Sequence, residues 1–377
     1  MAVYYVRPDG SDANTGTGPS TGSAWQTFSK AITAGSPVVG GDTIYFAPGV
    51  YRHAASVTST IDPSSLVQFI GDVSASQFSG VTPGIVRITY YTNDNAALSA
   101  STWQLQSMGN VSFSKLYFDN SISFTTGNAA KPNISFSNCI FAGGIGTITL
   151  SFNFNTTSAL NYTFDKCVFD DGGISLTGFG TTAAEVDMNV QITNCIFRNT
   201  VMVTLSFSGT QGVGRKYGGI RVANCNFFSG IVALNIGNSA DVSLTYPMTF
   251  RNCVWCVADS ATSAPANVAG SVQLYNCRVN RAITAAATTL NSSFANGIHG
   301  LDDYARMLHG VAKRHPYMPR YSSILSGQGT ATGAPATDLF GYTRPSPPAI
   351  GSLEINDLTG GGGGLLVHPG MTGGIRG

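Results

Sequence analysis

The sequence predicts an all-β solenoid, a parallel β-helix with one repeat unit per coil. Three observations lead there. A phrase of Asn, Cys, an apolar residue and an aromatic recurs through the middle of the chain. The runs before it alternate apolar and polar residues. The segments between are rich in Gly, Ser, Thr and Asn, which suit tight turns rather than helices.

The phrase is "NCIF" at Asn138 and Asn194, "KCVF" at Lys166, "NCNF" at Asn224, "NCVW" at Asn252 and "NCRV" at Asn276. Its cysteines are Cys139, Cys167, Cys195, Cys225, Cys253 and Cys277, with successive gaps of 28, 28, 30, 28 and 24. One step upstream, "FSKLYF" (Phe113 to Phe118) matches "FSNCIF" (Phe136 to Phe141), with Leu116 in the cysteine place. A repeat of this length marks units that stack and share a core. In "VQITNCIF", Val190, Ile192 and Cys195 face inward and their polar neighbours outward, which is period two. Equivalent positions then lie about 4.8 Å apart, one strand spacing. The cysteines become an internal ladder of small apolar groups. The residue before each, Asn in all but the Lys166 unit, sits at a bend, where Asn tolerates a left-handed backbone or bonds its counterpart one coil away.

Neither metal nor disulfides explain the cysteines. Zinc ligands come in close pairs, and only Cys253 and Cys256 are so spaced. A count of seven in a long chain does not read as a disulfide framework.

The other elements follow in order. Ser23 to Ala34, "SAWQTFSKAITA", reads as a capping helix, with Trp25, Phe28, Ala31 and Ile32 on one face and Ser23 and Gln26 as a capping box. "DTIYFAPGVY" (Asp42), "SLVQFIGD" (Ser65) and "GIVRITYY" (Gly84) are earlier coils. The total is about ten coils, a shaft roughly 50 Å long. "LDDYARMLHGVAKRH" (Leu301 to His315) reads as a helix packed over the last coil. Beyond five glycines, Gly360 to Gly364, the residues Leu365, Leu366, Val367 and Met371 form an apolar peptide on a flexible tether. The expected divisions are 1–43 for the N-terminal strand and cap, 44–295 for the shaft, 296–358 for a C-terminal cap and 359–377 for a docking tail.

Charge narrows the function classes. Charged residues are 10% and the net charge is +1, which leaves no basic footprint for nucleic acid. No stretch has the length of a membrane span. "MAVYYVRPDGSD" lacks the basic start and apolar run of a secretory signal. The expected setting is a virion or an extracellular surface.

"YYVRPDGSDANTGTG", "AWQTFSKAI" and "GGDTIYFAPGVYR" together resemble the opening of right-handed parallel β-helix proteins of the pectate-lyase-like superfamily. "ATDLFGYTRPSPPAIGSLE" (Ala336 to Glu354) resembles the segment that closes such domains. The resemblance covers residues 3 to 355 and implies the right-handed fold. It does not imply one activity, because the superfamily holds polysaccharide lyases and hydrolases as well as phage tailspikes and non-catalytic adhesins.

A lyase needs a base, commonly Lys or Arg, and often calcium held by acidic residues. A hydrolase needs two carboxylates facing across a sugar. No such motif of the superfamily can be laid residue by residue onto this chain. Aligning coils on the cysteine makes Asp170 and Arg198 neighbours, which reads as a surface ion pair. The densest charged cluster is Glu185, Asp187, Arg215, Lys216 and Tyr217, beside a Gly-rich insertion, with Glu185 over Arg215 and Asp187 over Tyr217. It is the candidate polysaccharide-binding face. The leading expectation is a non-catalytic structural or adhesive subunit of a larger assembly, partnered by copies of itself or by other particle proteins, with no cofactor. The alternative is a polysaccharide lyase or glycoside hydrolase, for which alone calcium would be expected.

Overall fold

Each run of alternating residues pairs with its counterpart one coil away. The structure, a computed structural model, describes residues 1–33, 35–53, 57–61, 63–90, 103–104, 109–119, 122–125, 133–142, 148–154, 161–170, 172–178, 185–198, 203–206, 216–229, 234–236, 246–257, 272–279, 288–291, 294–295 and 329–351. Three sheets of parallel strands result. The first has 11 strands, from Val3–Val6 through Asn133–Ser137 and Asn161–Asp165 to Thr288–Asn291. The second has 10, from Gly49–Arg52 to Phe294–Ala295. The third has 6, from Trp103–Gln104 to Leu234–Ile236. The chain visits the sheets in rotation, so the fold is a parallel β-helix.

In-register stacking fills the core with like on like. Phe136 lies between Phe113 and Phe164, with ring centroids 5.0 and 5.5 Å away. On the second sheet Phe118, Phe141, Phe169, Phe197 and Phe227 stack at 5.6, 4.8, 4.5 and 5.0 Å. The two columns meet edge to face, as between Phe136 and Phe141 at 5.3 Å.

The repeated phrase forms the bend between these sheets. Asn138, Lys166, Asn194, Asn224, Asn252 and Asn276 all have φ between 50 and 57°, the left-handed region that Asn tolerates best among residues with a side chain. The six cysteines beside them are free thiols and fully buried.

The N-terminal cap differs from the expectation. The helix is Phe28–Ile32, and its N-cap is Thr27, whose hydroxyl accepts from the Lys30 N–H. Ser23 instead lies in a turn bonded to Ser20. The reason is a long-range grip. Asp12 accepts hydrogen bonds from the Gln26 and Thr27 N–H groups and from the Thr27 hydroxyl, so the chain cannot coil before Thr27. Trp25 pairs with the open edge of Val3–Val6, donating to the Tyr5 carbonyl and accepting from Arg7. That covers an edge otherwise open to pairing with another chain. Trp25, Phe28, Ala31 and Ile32 are all buried.

The C-terminal end departs further. Residues 329–351 do not cover the last coil but lie along the flank of the shaft. Leu339 packs on Ile140, Val168 and Ile196 of three successive coils. Arg344 Nη2 donates to Asn194 Oδ1 at 2.8 Å. Asn224 Nδ2 donates to the Ala349 and Gly351 carbonyls at 3.3 and 3.2 Å, and Asn252 Nδ2 to the Thr330 carbonyl at 2.8 Å. The expected helix at 301–315 and the tail at 359–377, with Leu365, Leu366, Val367 and Met371, lie outside the described residues. Among the described residues no helix is long and apolar enough to cross a membrane.

Candidate functional site

One polar strip crosses the outside of the first sheet. Asn133 Nδ2 donates to Asn110 Oδ1 and Asn161 Nδ2 to Asn133 Oδ1, both at 2.9 Å, and Asn189 continues the line by donating to Asn161. Asn189 Oδ1 accepts in turn from Gln191 Nε2 at 3.3 Å and Arg221 Nη1 at 3.1 Å. The row ends on the one acidic member of the expected cluster with a described side chain. Arg221 forks onto Asp187, Nη2 to Oδ2 at 2.8 Å and Nη1 to Oδ1 at 3.3 Å. Asp187 Oδ1 also accepts from the Asn189 N–H at 2.8 Å.

The expected alignment of this cluster is off by one residue. Glu185 lies opposite Lys216, Val186 opposite Tyr217 and Asp187 opposite Gly218, while Val190 lies opposite Ile220. A bulge between Asp187 and Val190 absorbs the difference. Its cause is local. Gly219 has φ +75° and donates its N–H to the Tyr246 carbonyl, and a Cβ there would collide with Asp187 Oδ1. Glu185, Lys216 and Tyr217 are therefore placed by backbone register, and Arg215 lies outside the described residues. Arg221 was missed because it stands alone between apolar residues in "GIRVAN". Its outward position, four before Cys225, was the available signal. Asp170 and Arg198 are backbone register partners on adjacent strands.

The arrangement offers outward amides and a guanidinium in a fixed row. Such a row donates to and accepts from hydroxyl groups. The Asp187 carboxylate receives two guanidinium bonds and one backbone bond and so fixes the orientation of Arg221.

A second concavity lies between cap and shaft. A cleft of about 310 Å³ is lined by Pro8, Gln26, Thr27, Val50, Tyr51, Arg52 and His53. Burial pushes the His53 pKa down to about 4, so its ring is neutral at neutral pH. Arg87 closes onto Asp119 on the second sheet, with Nε to Oδ2 at 2.7 Å. Asp119 is buried, and burial raises its pKa against that pairing. Asp42 and Asp72 are likewise buried, and each accepts from the loop it ties, Asp42 from the Ala2 and Val39 N–H groups and Asp72 from Ser74, Ser76 and Gln77. Among the described residues no three His, Cys, Asp or Glu side chains converge as a metal site.

No protein-family model and no curated protein matches the chain. Among solved structures it is similar to the crystal structure of pectate lyase Pel9A, at 15% identity over 94% of this chain and 97% of that one, with a TM-score of 0.42.

Proposed function

We propose that the protein is a non-catalytic structural or adhesive β-helix, a subunit of a larger assembly such as a phage virion or an extracellular appendage. We place its polysaccharide contact on the strip from Asn110 to Arg221, together with Glu185, Lys216 and Tyr217. The observation that carries this reading is the strip itself. Exposed amides are bonded in line across coils and end in a guanidinium held by Asp187. On a charge-poor shaft this outward hydrogen-bonding row suits a neutral or weakly acidic glycan. Asp42, Asp72 and Asp119 support the same reading, since each is buried and ties a loop or a neighbouring strand.

The test is a panel of polysaccharides assayed for both retention and degradation. Retention without new chain ends is expected. Replacing Glu185 and Asp187 together by Ala should abolish retention while the melting temperature stays close to that of the parent, because partly exposed ion pairs contribute little. Release of reducing ends or unsaturated uronates, lost in the double variant, would establish the lyase or hydrolase alternative instead.

A further inference from the structure

The segment 329–351 is held to the shaft by side-chain amides, one bend carbonyl and an apolar contact. The backbone N–H groups of Asn194, Asn224 and Asn252 are bonded to Ala223, Arg251 and Tyr275, one coil on. The flanking segment uses other groups: the three side-chain amides, the Asn252 carbonyl at the bend, and the apolar surface of Ile140, Val168 and Ile196. None of these named bonds between the segment and the shaft uses a sheet N–H. Its own shape is internally fixed. Arg344 N–H donates to Ala336 at 2.9 Å, Asp338 N–H to Tyr342 at 2.8 Å, and Gly329 N–H to Pro348 at 2.8 Å. Asp338 Oδ1 ties the tip by accepting from the Phe340 and Tyr342 N–H groups.

We propose that residues 329–351 are a releasable latch over a preformed groove, and that the groove accepts the same segment of a second copy of this chain. The groove is specific for this occupant. Asn194 Oδ1 faces a guanidinium, and Asn224 and Asn252 each read a carbonyl at a fixed height. The fit at Gly351 admits no side chain, since a Cβ there would come within 2.5 Å of Asn226 Oδ1. The chain also has reach to spare. Residues 296–328 separate the last described strand from the latch. Even with 301–315 helical, as the sequence predicts, thirty-three residues can span on the order of 80 Å. The latch begins beside Asn252, whose coil is two strands back from Phe294–Ala295 in the second sheet, roughly 10 Å away. Exchanging an identical element between copies is a low-cost route to dimers, because each contact is remade unchanged. The inference rests on the flank alone and holds whatever the amide strip binds.

The experiment uses the full chain and a fluorescent peptide of residues 329–351. Anisotropy should report slow uptake by the parent chain. Uptake by Arg344→Ala, whose own latch has lost a charged hydrogen bond, should be favoured on the order of ten- to a hundredfold. Leu339→Ala, which weakens the tip instead, should act in the same direction. A peptide carrying Arg344→Ala should enter poorly. Two differently tagged full chains, warmed together, should co-purify, and excess peptide should prevent it. The proposal is overturned if both folded variants refuse the peptide, if uptake comes only with loss of β-structure, or if chains pair as well with the peptide in excess.

Discussion

A cysteine serves the bend of each coil because its side chain is small, apolar and still a weak donor. Cys195 Sγ reaches the Thr193 carbonyl of its own coil at 3.2 Å and the Phe164 carbonyl of the previous coil at 3.6 Å. Cys253 and Cys277 repeat the pattern. Burial pushes the Cys195 thiol well above its ordinary range, so it stays protonated and unreactive. A thiol reagent should label Cys167, Cys195 and Cys225 only after denaturation. Rapid labelling of all three in the native protein would contradict the ladder. Cys195→Asp should cost roughly 3 kcal/mol or more in denaturant unfolding, since it buries a charge with no cation to meet it. His53 gives a pH prediction of definite sign. Its pKa falls from 6.5 to about 4 on folding, so below 6.5 the unfolded chain binds the extra proton. Stability should be full above pH 6.5 and decline as the pH drops toward 4, by up to about 3 kcal/mol. Melting curves for His53→Gln should lose most of that slope, and an unchanged slope would place its origin elsewhere.

The elements owe their strength to columns that no single coil could form. Phe169 sits between Phe141 and Phe197 at 4.8 and 4.5 Å and is fully buried. Phe169→Ala should cost about 3–5 kcal/mol in urea unfolding, and a cost near zero would mean the column is not continuous. The repeat made these elements readable, because the same inward geometry imposes the same residue at each coil. It misled where one residue enters or leaves. The cysteine count carries Asp187 onto Tyr217, whereas an extra residue between Asp187 and Val190, opposite Gly219, shifts the partner by one. The adjacent glycines were the local sign of it. The capping helix was misplaced for a different reason. Ser23 and Gln26 satisfy a common short pattern, but the deciding group is Asp12, eleven or more residues away in sequence. Thr27→Ala should cost about 1 kcal/mol, the usual worth of an N-cap, and Ser23→Ala much less. Equal effects in thermal melts would restore the earlier start.

For the whole molecule, periodic parts were legible and closures were not. The shaft is dictated by local alternation repeated in register, which is written into each coil. The latch depends on pairs such as Asn194 with Arg344 and Asn224 with Ala349, more than a hundred residues apart and without period. The composition of "YTRPSPPAIG" marks an irregular segment but not the flank it meets. The amide strip was half legible, since Asn133, Asn161 and Asn189 lie 28 residues apart, but their bonding in line depends on how the coils stack. This division has a consequence for assembly. The described contacts of the latch run to Gly351, and the five glycines begin at Gly360. Deleting residues 359–377 therefore removes no contact of shaft or latch described above, and the β-rich circular dichroism and melting temperature should be unchanged. Docking of Leu365, Leu366, Val367 and Met371 on a neighbour would gain roughly 1.5–3 kcal/mol for each side chain buried. Ordering the chain costs about 1–2 kcal/mol per residue, so one tail is near balance. Several tails in a closed assembly raise one another's effective concentration and together become decisive. The deletion should thus lower the mass of the native particle, read by light scattering, while leaving the subunit folded. A truncated chain that assembles as fully as its parent would remove the tail from the interface.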